Sequence, residues 1–342
     1  MQKDDHARGM QIGRRALLTG GIAGAGLFAA AAGQPKEPQS MQQTVANDLP
    51  GRLEGIRAAW LEMMGPFPPE KPSLDVQMRR VDDIEGMECH HLSFQSEPGD
   101  RVPAYLLVPK GARPGPSPAL VCPHPTSAGA GKSQCVGLTG KAPGDPPLPA
   151  ERSRAYGLEL ARWGYVTISI DLFGDGERIP EGFTHYDSEP FYKRHPEWSL
   201  FGKNAWDCMR AVDVLETLDF VDRARIGCIG HSLGGHTTLC AAAFDGRIAA
   251  AISNCGELGW ERNTDHWSRP QDPNKKRGPV EDYCYLPKFA PYIEDPERPI
   301  PCDFDGLMML VAPRPLMLQG TEGEFENLGT VERVLRAQEV YH

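Results

Sequence analysis

The sequence lacks any C-x-x-C pair among its nine cysteines, so the spacing of a structural zinc site or a dithiol redox motif is missing. It also lacks an excess of positive charge. Its 36 Lys and Arg residues face 46 Asp and Glu residues, and the net charge of -10 at pH 7 argues against nucleic acid and anionic membranes as partners. No internal repeat is visible. We therefore predict no metal and no other cofactor. The apolar and charged fractions are those of an ordinary globular protein.

A long uninterrupted apolar run is missing too, because four glycines dilute the mildly apolar residues 16–32. Paired arginines at Arg14 and Arg15 precede this run, and the small residues 30–33 follow it. Residues 1–33 therefore resemble a twin-arginine export signal, and the polar residues 34–47 form a linker. We expect the twin-arginine machinery to export the protein to the periplasm or the extracellular space. The alternative is an uncleaved signal that anchors the chain in the membrane.

One stretch, residues 225–244, carries the pattern of a catalytic serine. Residues 225–229 are apolar and β-branched, which predicts a buried strand, and residues 233–244 are rich in Leu and Ala, which predicts a helix. Between them the residues GHSLG at 230–234 fit G-x-S-x-G, in which the glycines leave room for a sharp turn. Such a turn presents the Ser232 hydroxyl at a helix N-terminus, where free N–H groups favour a developing anion.

The rest of the chain alternates strands with helices. This alternation predicts a mostly parallel sheet with helices on both faces and right-handed crossovers. A loop rich in Gly and Asp, residues 171–178, follows one of the strands. The predicted elements are a helix at 53–64, a hairpin at 88–94 and 102–108, strands at 118–122, 165–170, 249–254 and 316–319, and helices at 151–163, 209–218 and 328–341.

This order of elements resembles the α/β-hydrolase fold and, within it, the dienelactone-hydrolase and acetyl-xylan-esterase-like serine hydrolases. The supporting motifs are the GHSLG turn, SNCG at 253–256, PCDFD at 301–305 and APRP at 312–315. The resemblance implies a hydrolase domain over residues 48–342. It also implies that residues 256–300, rich in Trp, Pro and charge, form a lid-like insertion. The implied activity is hydrolysis of carboxylic esters, with an acetylated carbohydrate or another small ester as substrate.

The same resemblance implies the roles of three residues. Ser232 would be the nucleophile, which a histidine must deprotonate and which forms the acyl intermediate. The oxyanion would be bound by the backbone N–H groups of Leu233 and Thr126, because Pro125 has no N–H to donate.

The carboxylate of the triad is expected after the strand at 316–319. The family usually has Asp there, whereas this chain has only glutamates, of which Glu322 fits best by spacing and Glu324 second. Glu257, just after the preceding strand, is a less common placement for the acid. We therefore predict Glu322 as the catalytic acid.

The histidine that would deprotonate Ser232 is hard to find in the sequence. In the family pattern a further strand and a histidine follow the acid, whereas here the predicted helix 328–341 leads directly to His342, which is expected to be the end of that helix. We expect the last strand and helix of the pattern to be missing, with low turnover and apolar surface exposed at the sheet edge. His231 and His236 should pack beside the serine turn, His124 should have a structural role, and His266 lies in the predicted insertion.

Two alternatives stay open. One is a truncated or non-catalytic relative that kept the serine turn and lost the triad histidine. The other is a serine peptidase of the prolyl-oligopeptidase kind, whose turn has a similar Gly234-Gly235 ending. The latter usually carries a large propeller domain, for which the residues between linker and hairpin are too few. The sequence does not indicate the oligomeric state or any disulfide pairing.

Overall fold

The computed structural model describes residues 48–111, 115–127, 129–138, 154–257, 267, 284–295, 297–320 and 330–341. Across these ranges every helix is too short or too polar to cross a lipid bilayer. The helices are α1 (Leu49–Met64), α2 (Tyr156–Arg162), α3 (Glu189–Arg194), α4 (Leu200–Glu216), α5 (Leu233–Phe244), α6 (Ala290–Glu294), α7 (Phe304–Val311) and α8 (Thr330–Gln338), with 3-10 turns at Gly131–Val136, Gly176–Arg178 and Pro287–Phe289.

The strands form one sheet of eight, in the order β1-β2-β3-β5-β4-β6-β7-β8. Strands β1, β2, β3 and β5 pair antiparallel, and β5, β4, β6, β7 and β8 pair parallel. The prediction of a mostly parallel sheet in an α/β fold is confirmed. The strands are β1 (Gln77–Arg80), β2 (Glu88–Glu97), β3 (Asp100–Val108), β4 (Ser117–Val121), β5 (Val166–Ile170), β6 (Val221–His231), β7 (Ile248–Asn254) and β8 (Leu316–Gln319).

Strand β5 lies inside the sheet, and its burial fits that position. All five residues of β5 are buried, as expected for a strand covered by helices on both faces. The β2–β3 hairpin turns at Pro98 and Gly99, where Gly99 has a φ of 78°. Helix α4 packs along the sheet with fifteen residues buried, and helix α5 has a continuous buried run from Leu233 to Ala243. These layers hold the start of α5 rigidly at the carboxyl edge of the parallel strands.

The boundaries of α5 are those predicted, whereas other elements differ. Strand β1 has four exposed residues, QMRR, and therefore carries no apolar alternation that would predict a strand. Helix α7 was also missed, although Asp303 accepts a hydrogen bond from Phe304 N–H and so caps the apolar run that follows it. The predicted helix at 151–163 is shorter, beginning at Tyr156, and residues 151–153 lie outside the described part.

Most of the predicted insertion, residues 256–300, lies outside the described residues. Its described aromatic residues belong to the main core, since Trp267 and Phe289 are fully buried. At the opposite end of the sheet from β1, strand β8 leaves Met317 40% exposed, and on helix α8 Leu335 is 59% exposed. Apolar side chains are thus exposed along the described edge of the sheet.

All nine cysteines are free thiols. Seven are buried, which confirms that they serve as small apolar side chains, and Cys255 and Cys284 are half-buried. Burial raises the pKa of Cys89, Cys135 and Cys302 to about 12. The thiolate, which is the reactive form, is therefore strongly disfavoured in the native protein.

Candidate active site

The turn between β6 and α5 holds Ser232 in an unusual backbone conformation, with φ 53° and ψ -116°. A residue with a Cβ rarely adopts a positive φ, and such a conformation costs about 1–3 kcal/mol. The turn is possible because of its glycines. A Cβ on Gly230 would lie 2.2 Å from the carbonyl oxygen of Gly234, and a Cβ on Gly234 would lie 2.2 Å from that of Pro123.

The close approach of Gly234 to Pro123 also places the loop after β4 against the first turn of α5. We call residues 123–127 the oxyanion loop. Among the described residues, no acceptor pairs with the N–H of Leu233, the first residue of α5, or with the N–H of Thr126. The two donors expected from the sequence therefore lie on neighbouring segments of backbone, and both have a free N–H within the described structure.

The described histidines near the turn are engaged elsewhere. The Nε2 atom of His124 accepts the Leu172 N–H at 3.0 Å, and its Nδ1 donates to the Pro125 carbonyl at 2.7 Å, so both ring nitrogens are used. The ring of His236 is buried among Phe201 and Trp267. Both rings therefore have structural roles.

His231 has a different environment. Its Nδ1 donates to Asn254 Oδ1, and the ring is half-buried at the end of β6. Within the described residues, no histidine hydrogen-bonds to the Ser232 hydroxyl. His266 and His342 lie outside the described residues.

Of the carboxylates predicted from the sequence, Glu322 and Glu324 lie outside the described residues. Glu257 follows β7, the strand next to that of Ser232, and is 3% exposed. Its Oε2 accepts hydrogen bonds of 3.0 Å from Ser253 Oγ and from the Gly256 N–H. Because a buried carboxylate is costly unless it is hydrogen-bonded, these donors make this position tenable for a charged group.

Part of the chain matches a known protein family, and most of it aligns with a known protein. The family described as "Glucuronyl esterase, fungi" matches residues 183–342. The "Putative hydrolase YtaP" of Bacillus subtilis (strain 168) is 27% identical over 292 residues, which cover 82% of this chain and 86% of that protein.

Two solved structures share the fold. A "putative acetyl xylan esterase" from Bacteroides fragilis NCTC 9343 has a TM-score of 0.65 at 21% identity, covering 86% of this chain and 72% of the other. A glucuronoyl esterase from Solibacter usitatus has a TM-score of 0.62 at 22% identity, covering 92% and 83%. The chain has the α/β-hydrolase fold. Within this fold it is similar to glucuronyl and acetyl xylan esterases.

One group of residues next to the candidate site was not predicted from the sequence. The Gly/Asp loop at 171–178 was noticed only for its composition, yet Asp175 hydrogen-bonds to Ser127 in the oxyanion loop and to Tyr186. The partners lie 48 and 11 residues away along the chain. No local pattern indicates contacts of this kind, although the unexplained cluster of Gly and Asp was a usable signal.

Two clusters of charged side chains hold the Gly/Asp loop in place. The first joins Lys132 Nζ to Asp171 and to Glu177, each at 2.6 Å. Burial alone would raise the pKa of Glu177, but hydrogen bonding to His91 and the charge of Lys132 outweigh it and lower that pKa to about 2. The Glu177 side chain is therefore charged throughout the neutral pH range.

The second cluster surrounds Lys203, whose Nζ lies 2.7 Å from Asp100 and from Asp207 and 3.0 Å from Glu97. Arg178, at the end of the Gly/Asp loop, pairs with Asp207 and Asp100, each at 2.7 Å. Burial would raise the pKa of Asp100, but the charges of Arg178 and Lys203 lower it to about 2. The β2–β3 turn, helix α4 and the Gly/Asp loop are thereby joined.

Proposed function

We propose that the protein is a serine hydrolase that cleaves carboxylic esters through an acyl-Ser232 intermediate. The observation that carries this proposal is the conformation of Ser232, held at φ 53° between two glycines at the start of α5. Neither a structural serine nor a helix cap requires such strain. A nucleophile whose hydroxyl must project clear of the sheet requires a strained turn of this kind.

The chemistry follows from the neighbouring groups. A histidine takes the proton of the Ser232 hydroxyl as the oxygen attacks the ester carbonyl, and the negative charge passes to the carbonyl oxygen. The N–H groups of Leu233 and Thr126 would bind that oxyanion, a contribution worth roughly 100–1000-fold in rate per donor. The alcohol leaves with the proton, and water then releases the acid from the serine by the reverse steps.

The acid that orients the histidine is proposed to be Glu322, by its place after β8. Glu324 is the second choice by spacing, and Glu257 is the less common placement, which its burial next to the strand of Ser232 supports. Parallel strands end at the same edge of a sheet, so each of these glutamates would reach a histidine above Ser232. The exchanges Glu322→Gln and Glu257→Gln would distinguish them, since only the acid should reduce kcat by several orders of magnitude.

Carbohydrate esters are the proposed substrate class. The supporting observation is that the matching family and the two similar structures are described as glucuronyl, glucuronoyl and acetyl xylan esterases. An acetylated sugar and the ester of a sugar acid are the two forms to compare. Measuring kcat/KM for acetylated xylan and for a glucuronate ester would decide between them.

The deciding experiment is hydrolysis of p-nitrophenyl acetate by purified residues 34–342, beside Ser232→Ala. Turnover that disappears in the variant would support the proposal and would place the base inside this chain, with His266→Ala and His342→Ala as the next variants. No turnover above the variant would instead favour a non-catalytic hydrolase-fold protein. Turnover of a matching p-nitroanilide at a comparable rate would favour a peptidase.

Export by the twin-arginine route is proposed on the paired arginines, the apolar run at 16–32 and the small residues at 30–33. Replacing Arg14 and Arg15 together with lysine should retain the protein in the cytoplasm of a bacterial host. Cell fractionation followed by immunoblotting would measure this. Unchanged export of the double variant would contradict the proposal.

A further inference from the structure

We infer that Asp175 and Tyr186 are positioning residues that set the direction of the Thr126 N–H for oxyanion binding. This inference rests on the proposed function. It concerns the Gly/Asp loop and the segment after it, which otherwise have no role in the chemistry. Neither residue touches the reacting atoms, and both act through Ser127.

Asp175 is fully buried and accepts hydrogen bonds on both carboxylate oxygens. Its Oδ2 accepts from the hydroxyl of Ser127 and, at 2.6 Å, from the hydroxyl of Tyr186. Its Oδ1 accepts from the Gly176 N–H at 2.8 Å. A buried carboxylate held by three donors is a fixed point of the structure, since moving it would leave charge without partners.

The hydroxyl of Tyr186 connects this fixed point to the backbone of the oxyanion loop. It accepts the N–H of Ser127 at 2.6 Å while donating to Asp175. The Ser127 hydroxyl in turn accepts the Gly131 N–H at 2.8 Å. The peptide that follows Thr126 is therefore fixed in orientation.

The chain before Thr126 is fixed by the same loop. The His124 ring accepts the N–H of Leu172 at 3.0 Å, and its other nitrogen donates to the Pro125 carbonyl at 2.7 Å. Thr126 is thus held on both sides, with its own N–H left without a described acceptor. An oxyanion donor needs this arrangement, because it must already be aimed when the charge develops.

The backbone of Tyr186 provides independent support. Its φ is 64°, a conformation that costs about 1–3 kcal/mol for a residue with a side chain. A 2.7 Å hydrogen bond from its N–H to the Gly174 carbonyl holds it there. Strain of this kind persists where the surrounding structure requires a particular side-chain placement, and here it brings the hydroxyl between Ser127 and Asp175.

The test compares Tyr186→Phe with Tyr192→Phe. The control also loses a bridging hydroxyl, because Tyr192 Oη donates to the Cys284 carbonyl at 2.5 Å and accepts the Leu200 N–H at 3.1 Å. We expect Tyr186→Phe to lower kcat for p-nitrophenyl acetate about 10- to 100-fold with KM within about twofold, since small misplacements cost about that much. Tyr192→Phe should leave kcat within about twofold. Equal kcat values for the two variants would overturn the inference.

A second measurement does not need turnover. Amide hydrogen exchange in the peptide covering residues 124–131 should be at least about tenfold faster in Tyr186→Phe and unchanged in Tyr192→Phe. Unchanged exchange in Tyr186→Phe would overturn the inference. If Tyr186→Phe fails to fold, Ser127→Ala replaces it in the test. This variant keeps the hydrogen bond from its backbone to Tyr186, and it should lower kcat by less than we expect for Tyr186→Phe. A wild type no more active than Ser232→Ala would disprove the proposed function, whereas the exchange result concerns the inference alone.

Discussion

The backbone N–H of Ser232 donates a 2.7 Å hydrogen bond to the carbonyl oxygen of Asn254, the last residue of the adjacent strand. The side chain of Asn254 accepts from His231 and donates to Gln319 Oε1 at 3.3 Å. The ends of β6, β7 and β8 are thereby joined at the serine turn. This ladder holds the serine in a conformation that it would otherwise leave.

The strain at Ser232 predicts an order of stability between two inactive variants. Ser232→Gly should be more stable than Ser232→Ala by about 1 kcal/mol, because glycine adopts a positive φ without the steric cost that alanine incurs. Urea unfolding of both variants would measure the difference. An alanine variant as stable as the glycine variant would show that the turn is not strained in solution.

The contact between α5 and the oxyanion loop predicts a sensitive glycine. Gly234→Ala would place a methyl group 2.2 Å from the Pro123 carbonyl oxygen, and the backbone must move to relieve the clash. We expect a loss of about 1–3 kcal/mol in unfolding free energy and a fall in kcat, because the loop that carries Thr126 is displaced. Gly246→Ala is the control, since nothing lies within 4 Å of its added methyl. Matching losses in both variants would contradict the prediction.

Replacing each of two lysines compares the stability contribution of a buried charge cluster with that of a surface ion pair. Lys203→Met should cost about 3–5 kcal/mol of unfolding free energy, because it leaves Arg178 as the one remaining buried cation paired with Asp100 and Asp207 among the described residues. Lys193→Met removes an ion pair to Glu189 whose two side chains are 70% and 58% exposed, and it should leave the unfolding free energy nearly unchanged because solvent screens the pair. Thermal and urea unfolding would measure both. Equal effects would show that the cluster around Lys203 is not buried in solution.

The lowered pKa of Asp100 predicts a loss of stability in acid. Its pKa is about 2 in the folded protein, and about 3.9 is usual for an unfolded chain. Its contribution of about 2–3 kcal/mol is therefore complete above about pH 4 and is lost as the pH falls through 2. Asp100→Asn should reduce the dependence of unfolding free energy on pH between 5 and 2. A variant with the wild-type dependence would contradict this assignment.

The buried thiols predict low reactivity. A disulfide exchange reagent should modify at most Cys255 and Cys284 in the native protein and the remaining seven only on unfolding. Because no cysteine is paired, a reducing agent should leave the melting temperature unchanged. A melting temperature that falls on reduction would show that disulfides form after all. Quantifying released thiolate with and without denaturant would provide the count.

Sequence reasoning predicted the elements whose pattern is local. Helix α5 was predicted at its observed bounds because a turn motif and an Ala-rich run define its start and length. Strand β1 could not be predicted in this way, since its four residues are all exposed and show no alternation of apolar and polar side chains. Helix α7 had a capping signal at Asp303 that the analysis of motifs overlooked.

The candidate site was predicted in part. The turn of Ser232 and Leu233 lies next to the loop of Thr126, because the serine motif and the β4 loop are both at the carboxyl edge of the sheet, and the catalytic roles of these residues stay predictions. The support from Tyr186 was not predictable, since it lies 59 positions along the chain from Ser127 and no sequence pattern links the two residues. Buried ion pairs such as Lys203 with Asp100 are of the same kind.

The distance along the chain between Tyr186 and Ser127 has a consequence for how the molecule loses activity. The sheet can be complete before the segment from 172 to 186 docks on the oxyanion loop, because none of the strand pairings in the sheet includes a residue of that segment. Docking of this segment would then be a late and separately reversible step of folding. Mild denaturant should abolish the proposed esterase activity while the circular dichroism is still native, so an inactive preparation need not be an unfolded one.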